Sequence, residues 1–253
     1  MSFAVAPEAY DRFMGLHSSQ LSAQMADVAG VRAGLRVIDV GCGPGALTTE
    51  LVARLGADAV AAVDPSEPFV VAARERHPGV DVRLASADAI PFEDDAFDVS
   101  LAQLVVHFMP DPVAGLRGMA RVTRPGGVVA ASVWDHAGGR SPLSPFWRGL
   151  HEIEPDAPDE GQLPGVREGH LLRLFDSAGL DGVEGAVLET RVAYASFDEW
   201  WEPFTFGVGP AGGTLRALDA ERQDAVREAA RRALGSGSFE LRSAAWAARG
   251  VVA

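Results

Sequence analysis

Ten residues, Val37-Ile38-Asp39-Val40-Gly41-Cys42-Gly43-Pro44-Gly45-Ala46, carry the strongest chemical signal in the chain. Three glycines at alternate positions join an apolar run to a helix-like stretch. Glycine lets the backbone come close to a ligand, and a following helix offers free N–H groups and the positive end of its dipole. Something anionic or nucleoside-like is expected there. The string satisfies the relaxed dinucleotide pattern G-x-G-x-x-[GA], and an acid, Asp64, follows about twenty residues on. By itself the motif does not choose between nucleotide ligands.

Neighbouring carboxylates narrow the choice. Asp39 lies two residues before the first glycine, where a nucleotide loop is normally apolar, and its carboxylate could face an ammonium group. Asp64, followed by Pro65 and Ser66, ends a second apolar run and can accept from both hydroxyls of a ribose. Asp88 and Ala89, in Ser86-Ala87-Asp88-Ala89-Ile90-Pro91-Phe92, follow a third run, where a carboxylate could accept from an exocyclic amine. Three carboxylates on one cavity repel a pyrophosphate but suit a ligand with a cationic amino-acid end, a ribose and an adenine.

The elements that must hold these residues alternate. Strands are expected at 35–40, 59–63, 80–85, 97–103 and 128–134, with helices at 46–55, 67–76 and 112–123 between them. This order predicts an α/β fold, a doubly wound and mostly parallel sheet covered on both faces. Pro125-Gly126-Gly127 is read as the turn that closes the 112–123 helix. Beyond Trp134 the pattern changes to a Pro- and Gly-rich stretch over 136–166 with one short helix near 146–153. Helices follow at 170–178 and 218–234, and long strands at 183–194 and 239–251, one of them antiparallel. The whole of 1–253 is expected to be one domain, with 1–33 as N-terminal lid helices and 136–166 and 195–217 as cap insertions on the substrate side.

From Tyr10 to Asp135 the chain resembles the class I S-adenosylmethionine-dependent methyltransferases, in particular the small-molecule branch of the ubiquinone and menaquinone enzymes. Val37 to Gly45 matches that family's first motif, and Val63-Asp64-Pro65-Ser66 its ribose-binding acid. Asp88-Ala89-Ile90-Pro91-Phe92 matches its adenine loop, and Arg124-Pro125-Gly126-Gly127 its turn before the fifth strand. The resemblance implies a Rossmann-like seven-stranded sheet with a reversed last strand, and S-adenosylmethionine as cofactor. It further implies cofactor contacts from Gly41, Cys42, Gly43, Gly45, Asp64, Pro65, Ser66, Asp88, Ala89 and Gln103, and from Tyr10 and Met14 of a lid. Relatives tend to carry an aromatic-Ser-Arg after the lid string, where this chain has His17-Ser18-Ser19-Gln20. Cys42 is read as a small filler of the loop, because methyl transfer from a sulfonium needs no covalent enzyme intermediate.

The reaction expected is transfer of that methyl group to an O, N or C atom of a small, hydrophobic or aromatic acceptor. All 22 basic residues are arginine and lysine is absent, which excludes Schiff-base chemistry and the Tyr-x-x-x-Lys pair of some dehydrogenases. Any proton acceptor is therefore sought among His107, His136, His17, Asp135 and Glu202, with His107 and His136 preferred. Trp200, Trp201, Phe204 and Phe206 form an aromatic cluster that reads equally as core or as pocket wall. A SAM-binding regulator or scaffold without turnover is the competing reading. No metal is expected. A net charge of −13 and a pI near 4.8 argue against nucleic acid as partner. A cytoplasmic protein without a membrane span is expected, since Cys42 is the single cysteine and MSFAVAPEAYDRF lacks a signal-peptide pattern, and a homodimer is open to it.

Overall fold

The computed structural model describes residues 7–253. Residues 1–6 of the expected lid lie outside them. Seven strands form one sheet: β1 (Val37–Val40), β2 (Val60–Asp64), β3 (Asp81–Leu84), β4 (Phe97–Gln103), β5 (Thr123–Trp134), β6 (Asp181–Tyr194) and β7 (Phe239–Val251). Their order is β3-β2-β1-β4-β5-β7-β6. Pairs among β1 to β5 are parallel, whereas β7 runs antiparallel to both β5 and β6. This is the Rossmann-like sheet with one reversed strand that the sequence led us to expect.

The helices in chain order are α1 (Pro7–Tyr10), α2 (Leu16–Val28), α3 (Ala46–Leu55), α4 (Glu67–Arg76), α5 (Pro112–Val122), α6 (Ser144–Ile153), α7 (His170–Ala178), α8 (Phe197–Trp201), α9 (Gly209–Ala217) and α10 (Ala220–Leu234). A π-helical turn, Asp11–Gly15, joins α1 to α2. Side chains alternate across each central strand, and the two faces build separate cores. Val37, Val60, Ala62 and Leu101 meet Leu21 and Met25 of α2 and Leu47 and Leu51 of α3. Ile38, Ala61, Val63 and Ala102 meet Leu116 and Met119 of α5 and Leu171 and Phe175 of α7.

The stretch Pro125-Gly126-Gly127 departs from its expected role. Helix α5 ends at Val122, Thr123 is already extended, and the glycines lie inside β5 as a bulge. Phe97 pairs with Thr123 but Val99 with Val128. The bulge is held from both sides, since Arg124 Nε donates to Asp98 Oδ1 at 2.6 Å and Gly126 N to Val252 O at 2.8 Å. A Cβ on Gly127 would lie 2.7 Å from Asp98 O, so the segment is fixed by close backbone approach rather than by a helix end.

The aromatic cluster is core. Trp200, Trp201 and Phe204 are buried, Phe146 of α6 stacks on Phe204 at 4.9 Å and Phe197 on Trp201 at 5.8 Å. Phe206 is half-buried and lies under the Arg12 guanidinium, 4.9 Å away. α10 packs along α6, where Gly149 lets the two helices approach.

α5 also sets the loop after β3. Gly118 of α5 presses on the 3-10 turn Ala87–Ala89, and a Cβ there would sit 2.0 Å from Ala87 O. Gly118→Ala is therefore expected to cost about 2–3 kcal/mol of stability through overpacking, measured as a lowered urea midpoint at unchanged m-value.

Candidate functional site

The glycine loop takes its shape from one carboxylate. Gly43 N donates to Asp64 Oδ2 at 2.9 Å and Ser66 N to Asp64 Oδ1 at 2.8 Å. Asp64 thus ties the loop after β1 to the loop after β2 while its side chain is almost sealed from solvent. Burial raises its carboxyl above the usual range, and the two N–H donors oppose that rise. Gly41 has φ of 73°, and a Cβ there would meet Val105 at 2.5 Å. The loop therefore needs glycine both for its conformation and for space.

Above these loops a cavity of about 490 Å³ opens at the C-terminal edges of β1 to β4. The strand order turns back between β1 and β4, the place where open α/β sheets bind ligands. Of the residues singled out in the sequence, Tyr10, Gly41, Gly43, Asp64, Pro65, Ser66 and Asp88 line it. Asp88 is exposed, and its carboxyl is held low first by the Ser86 hydroxyl. The cavity wall also carries Glu67 and Asp111, and among the described residues no arginine or histidine lines it. A pyrophosphate would find only like charge there, whereas a cation with ribose hydroxyls would find acceptors.

Strand alternation sends other expected residues elsewhere. Asp39 shares the face of Val37 and accepts from Thr48 Oγ1 of α3 at 2.6 Å, with 1% of its surface exposed. It does not face the cavity, and burial pushes its carboxyl up to about 7. Gln103 also faces α2, where its Nε2 donates to Ser18 O at 3.0 Å and Ser22 Oγ at 3.3 Å. Cys42 is buried, with its thiol pushed well up by burial and by Asp39. Gly45 packs on the His77 ring, and Ala89 is exposed outside the wall.

The N-terminal segment borders the cavity through Tyr10. Tyr10 meets Phe69 of α4 edge-on at 5.3 Å, and burial, followed by the charge of Asp64, pushes its hydroxyl up to about 12. Asp11 pairs with Arg76 of α4 at 2.6 Å. On the other side Arg12 pairs with Glu202, and Phe13 meets Phe204 at 5.1 Å. The intervening π-turn is a form that recurs at functional sites.

A second chamber of about 40 Å³ shares Tyr10, Leu104 and Phe108 with the first. Met14 lines it with Phe13, Trp134, Leu143, His107, His136 and Glu160. Leu104 separates the two spaces in a left-handed conformation, φ 62°, a strained state for a branched side chain. His107 is 3% exposed, its ring 3.9 Å from that of Phe108 and 5.8 Å from that of His136. Burial keeps both imidazoles neutral, His107 well below its ordinary pKa and His136 at about 4. Glu160 accepts from Trp147 Nε1 at 3.0 Å, and burial pushes its carboxyl up to about 7. Sequence reasoning missed Glu160, because an acid inside an irregular Pro-rich stretch has no periodic signal.

The remaining proton-acceptor candidates are engaged elsewhere. Asp135 accepts from Gly138 N at 2.8 Å and Arg140 Nε at 2.5 Å. Glu202 pairs with Arg12 at the surface. His17 is buried, with Nδ1 at 3.0 Å from Thr190 Oγ1 and Nε2 at 3.0 Å from Tyr194 OH. Burial lowers its pKa to about 4, so at neutral pH the ring is uncharged and one nitrogen donates while the other accepts.

Residues 38–131 match the family model of a methyltransferase domain. The matched stretch is less than half of the chain, and over it the chain is similar to methyltransferase domains. A ubiquinone biosynthesis O-methyltransferase of Rhizobium johnstonii is 33% identical over 161 residues, 58% of this chain and 63% of that protein. A demethylmenaquinone methyltransferase of Paenarthrobacter aurescens is 32% identical over 125 residues, 49% of this chain and 47% of that one. The chain spans less than two thirds of the length of these relatives. An SAM-dependent methyltransferase from Thermotoga maritima has the same fold, with a TM-score of 0.58, 17% identity and coverage of 97% of this chain and 95% of that one. The matched stretch holds the glycine loop, Asp64, Asp88 and His107, while Tyr10, His136 and Glu160 reach the site from outside it. S-adenosylmethionine fits the cavity wall: acceptors for its ribose and amine are present, and among the described residues no lining cation competes for them.

Burial of His17 makes stability pH-dependent. Its folded pKa of about 4 lies below the ordinary 6.5, so its contribution is intact above pH 6.5 and is lost as the pH falls toward 4. Between pH 7 and 5 the wild type is expected to lose about 2 kcal/mol through this group, and His17→Gln to lack that part of the slope in urea titrations at the two pH values.

Proposed function

We propose that the chain transfers the methyl group of S-adenosylmethionine to a small, largely apolar acceptor. One observation carries this reading: the glycine-loop cavity is walled by Asp64, Glu67, Asp88 and Asp111, without a basic residue among the described residues. When bound, the cofactor supplies an electrophilic methyl group on a cationic sulfur.

The chain's own residues then have separable tasks. Asp64 would hold the ribose hydroxyls, Ser86 and Asp88 the adenine end, and the loop around Gly41 and Gly43 the closely approaching backbone of the ligand. Tyr10 and the π-turn would cover the mouth and exclude water, which strengthens every polar contact inside. Phe13, Met14, Trp134 and Leu143 offer the acceptor an apolar chamber beside Leu104 and Phe108. Transfer in line across that boundary requires alignment above all. A proton released at the acceptor would meet neutral His107 or His136, each with an imidazole lone pair but weakened as a base by burial. Quinone-like rings are the acceptor class that the names of the relatives suggest, and such a ring would need the lid and the segment around Val208 to move apart.

Calorimetric titration separates this reading from its competitors. S-adenosylhomocysteine is expected to bind and NADH is not; heat with NADH alone would sink the proposal. Asp64→Asn should weaken S-adenosylhomocysteine by about 2 kcal/mol, roughly thirtyfold, through loss of charge-assisted hydrogen bonds. Methyl-labelled cofactor incubated with phenolic, amine and carbon-acid acceptors reads turnover, and binding without transfer to any of them would favour a regulator.

A further inference from the structure

The floor of the small chamber holds more unsatisfied polar atoms than an apolar acceptor calls for. Both ring nitrogens of His136, Nδ1 of His107 and Nε1 of Trp134 are sealed from solvent without a hydrogen-bond partner among the described residues. A buried polar atom left unpaired is costly, and Trp134, His107 and His136 all line this one chamber, which points to an occupant. The space is about 40 Å³, enough for an ion or a few waters but not for a planar acceptor.

The donors that converge there are specific. His107, His136 and Glu160 each bring one ligand atom within 4.8 Å of the others. His136 Nε2 stands 3.9 Å from Glu160 Oε1, too far for a hydrogen bond. Donors on a tetrahedral ion with bonds of about 2.1 Å lie about 3.4 Å apart, so a small side-chain rotation closes the set. Two neutral imidazoles and a carboxylate are the ligands that hold zinc or iron(II) with a position left open. Trp147 Nε1 fixes Glu160 Oε2 at 3.0 Å, and such an outer hydrogen bond orients the remaining oxygen toward a metal.

We propose that His107, His136 and Glu160 bind one divalent transition-metal ion at the floor of the acceptor chamber. The site departs from the sequence expectation of no metal, because Glu160 lies in the irregular stretch after β5 and no spacing motif joins it to the histidines. The ion suits an acceptor that presents an oxygen, as a hydroxyl or carbonyl, next to the wall formed by Leu104 and Phe108. That assignment of acceptor class rests on the transferase reading; the metal site itself does not, and with the ion bound the lone pairs of His107 and His136 hold it and no longer accept a proton.

The test uses the full chain, stripped with a chelator, dialysed and titrated with Zn²⁺ at pH 7.5 by calorimetry, with bound metal counted by mass spectrometry. One equivalent is expected, with affinity lowered by about 100-fold or more in Glu160→Gln and His136→Ala and unchanged in His170→Ala. No saturable uptake by the wild type, or uptake undiminished in both site variants, overturns the proposal. S-adenosylhomocysteine binding by the same metal-free samples reports on their fold and on the cofactor reading alone, so the two proposals fail separately.

Discussion

The site depends on a single buried carboxylate that two backbone N–H groups hold. Asp64 accepts from Gly43 and from Ser66, and so locks the loop after β1 to the loop after β2. Each donor uses one oxygen, which leaves further lone pairs for a ligand. Beside this contact, Gly41 N donates to Val63 O at 2.7 Å, and the missing Cβ of Gly41 leaves room for Val105 beyond β4. Cavity shape, loop geometry and ligand charge preference therefore share one origin.

Charge is distributed by burial as much as by composition. The acids of the cavity wall match part of the net charge of −13, whereas Asp39 and Glu160 are acids removed from water and raised to about 7. Their contribution to stability is lost as pH rises toward 7, since the folded state retains their protons longer than the unfolded chain. Buried His17 and His136, lowered to about 4, act in the opposite direction below pH 6.5. The two slopes partly offset each other between pH 4 and 6.5. Surface arginine pairs such as Arg232 with Glu152 add little, because solvent screens them.

Strain marks the boundary between the two chambers. Leu104 is held at positive φ by the hydrogen bond from its own N–H to Ser132 O at 2.8 Å, and the lid carries a π-turn between ion pairs on both sides. Both features cost energy that the surrounding core must over-determine. Their adjacency to the shared wall of Tyr10, Leu104 and Phe108 places irregular backbone where two ligands would have to meet.

Much of the fold was legible in the chain, because apolar runs and glycine turns repeat with the period of each element. β4, α3, α4, α7 and β7 lie where the pattern put them. Local order also placed Gly41, Gly43, Asp64 and Asp88 around one cavity, since all of them follow strand ends on the same edge of a parallel sheet. The sequence could not tell which face of a strand a polar side chain takes, and the side chains of Asp39 and Gln103 turn to α3 and α2. Nor could it show that Pro125 to Gly127 form a bulge, which depends on Asp98 and Val252 approaching from elsewhere. His107, His136 and Glu160 converge only because β4, β5 and the segment after α6 end side by side. A single chain specifies local geometry through near neighbours, but contacts between distant segments exist only once the sheet has assembled them.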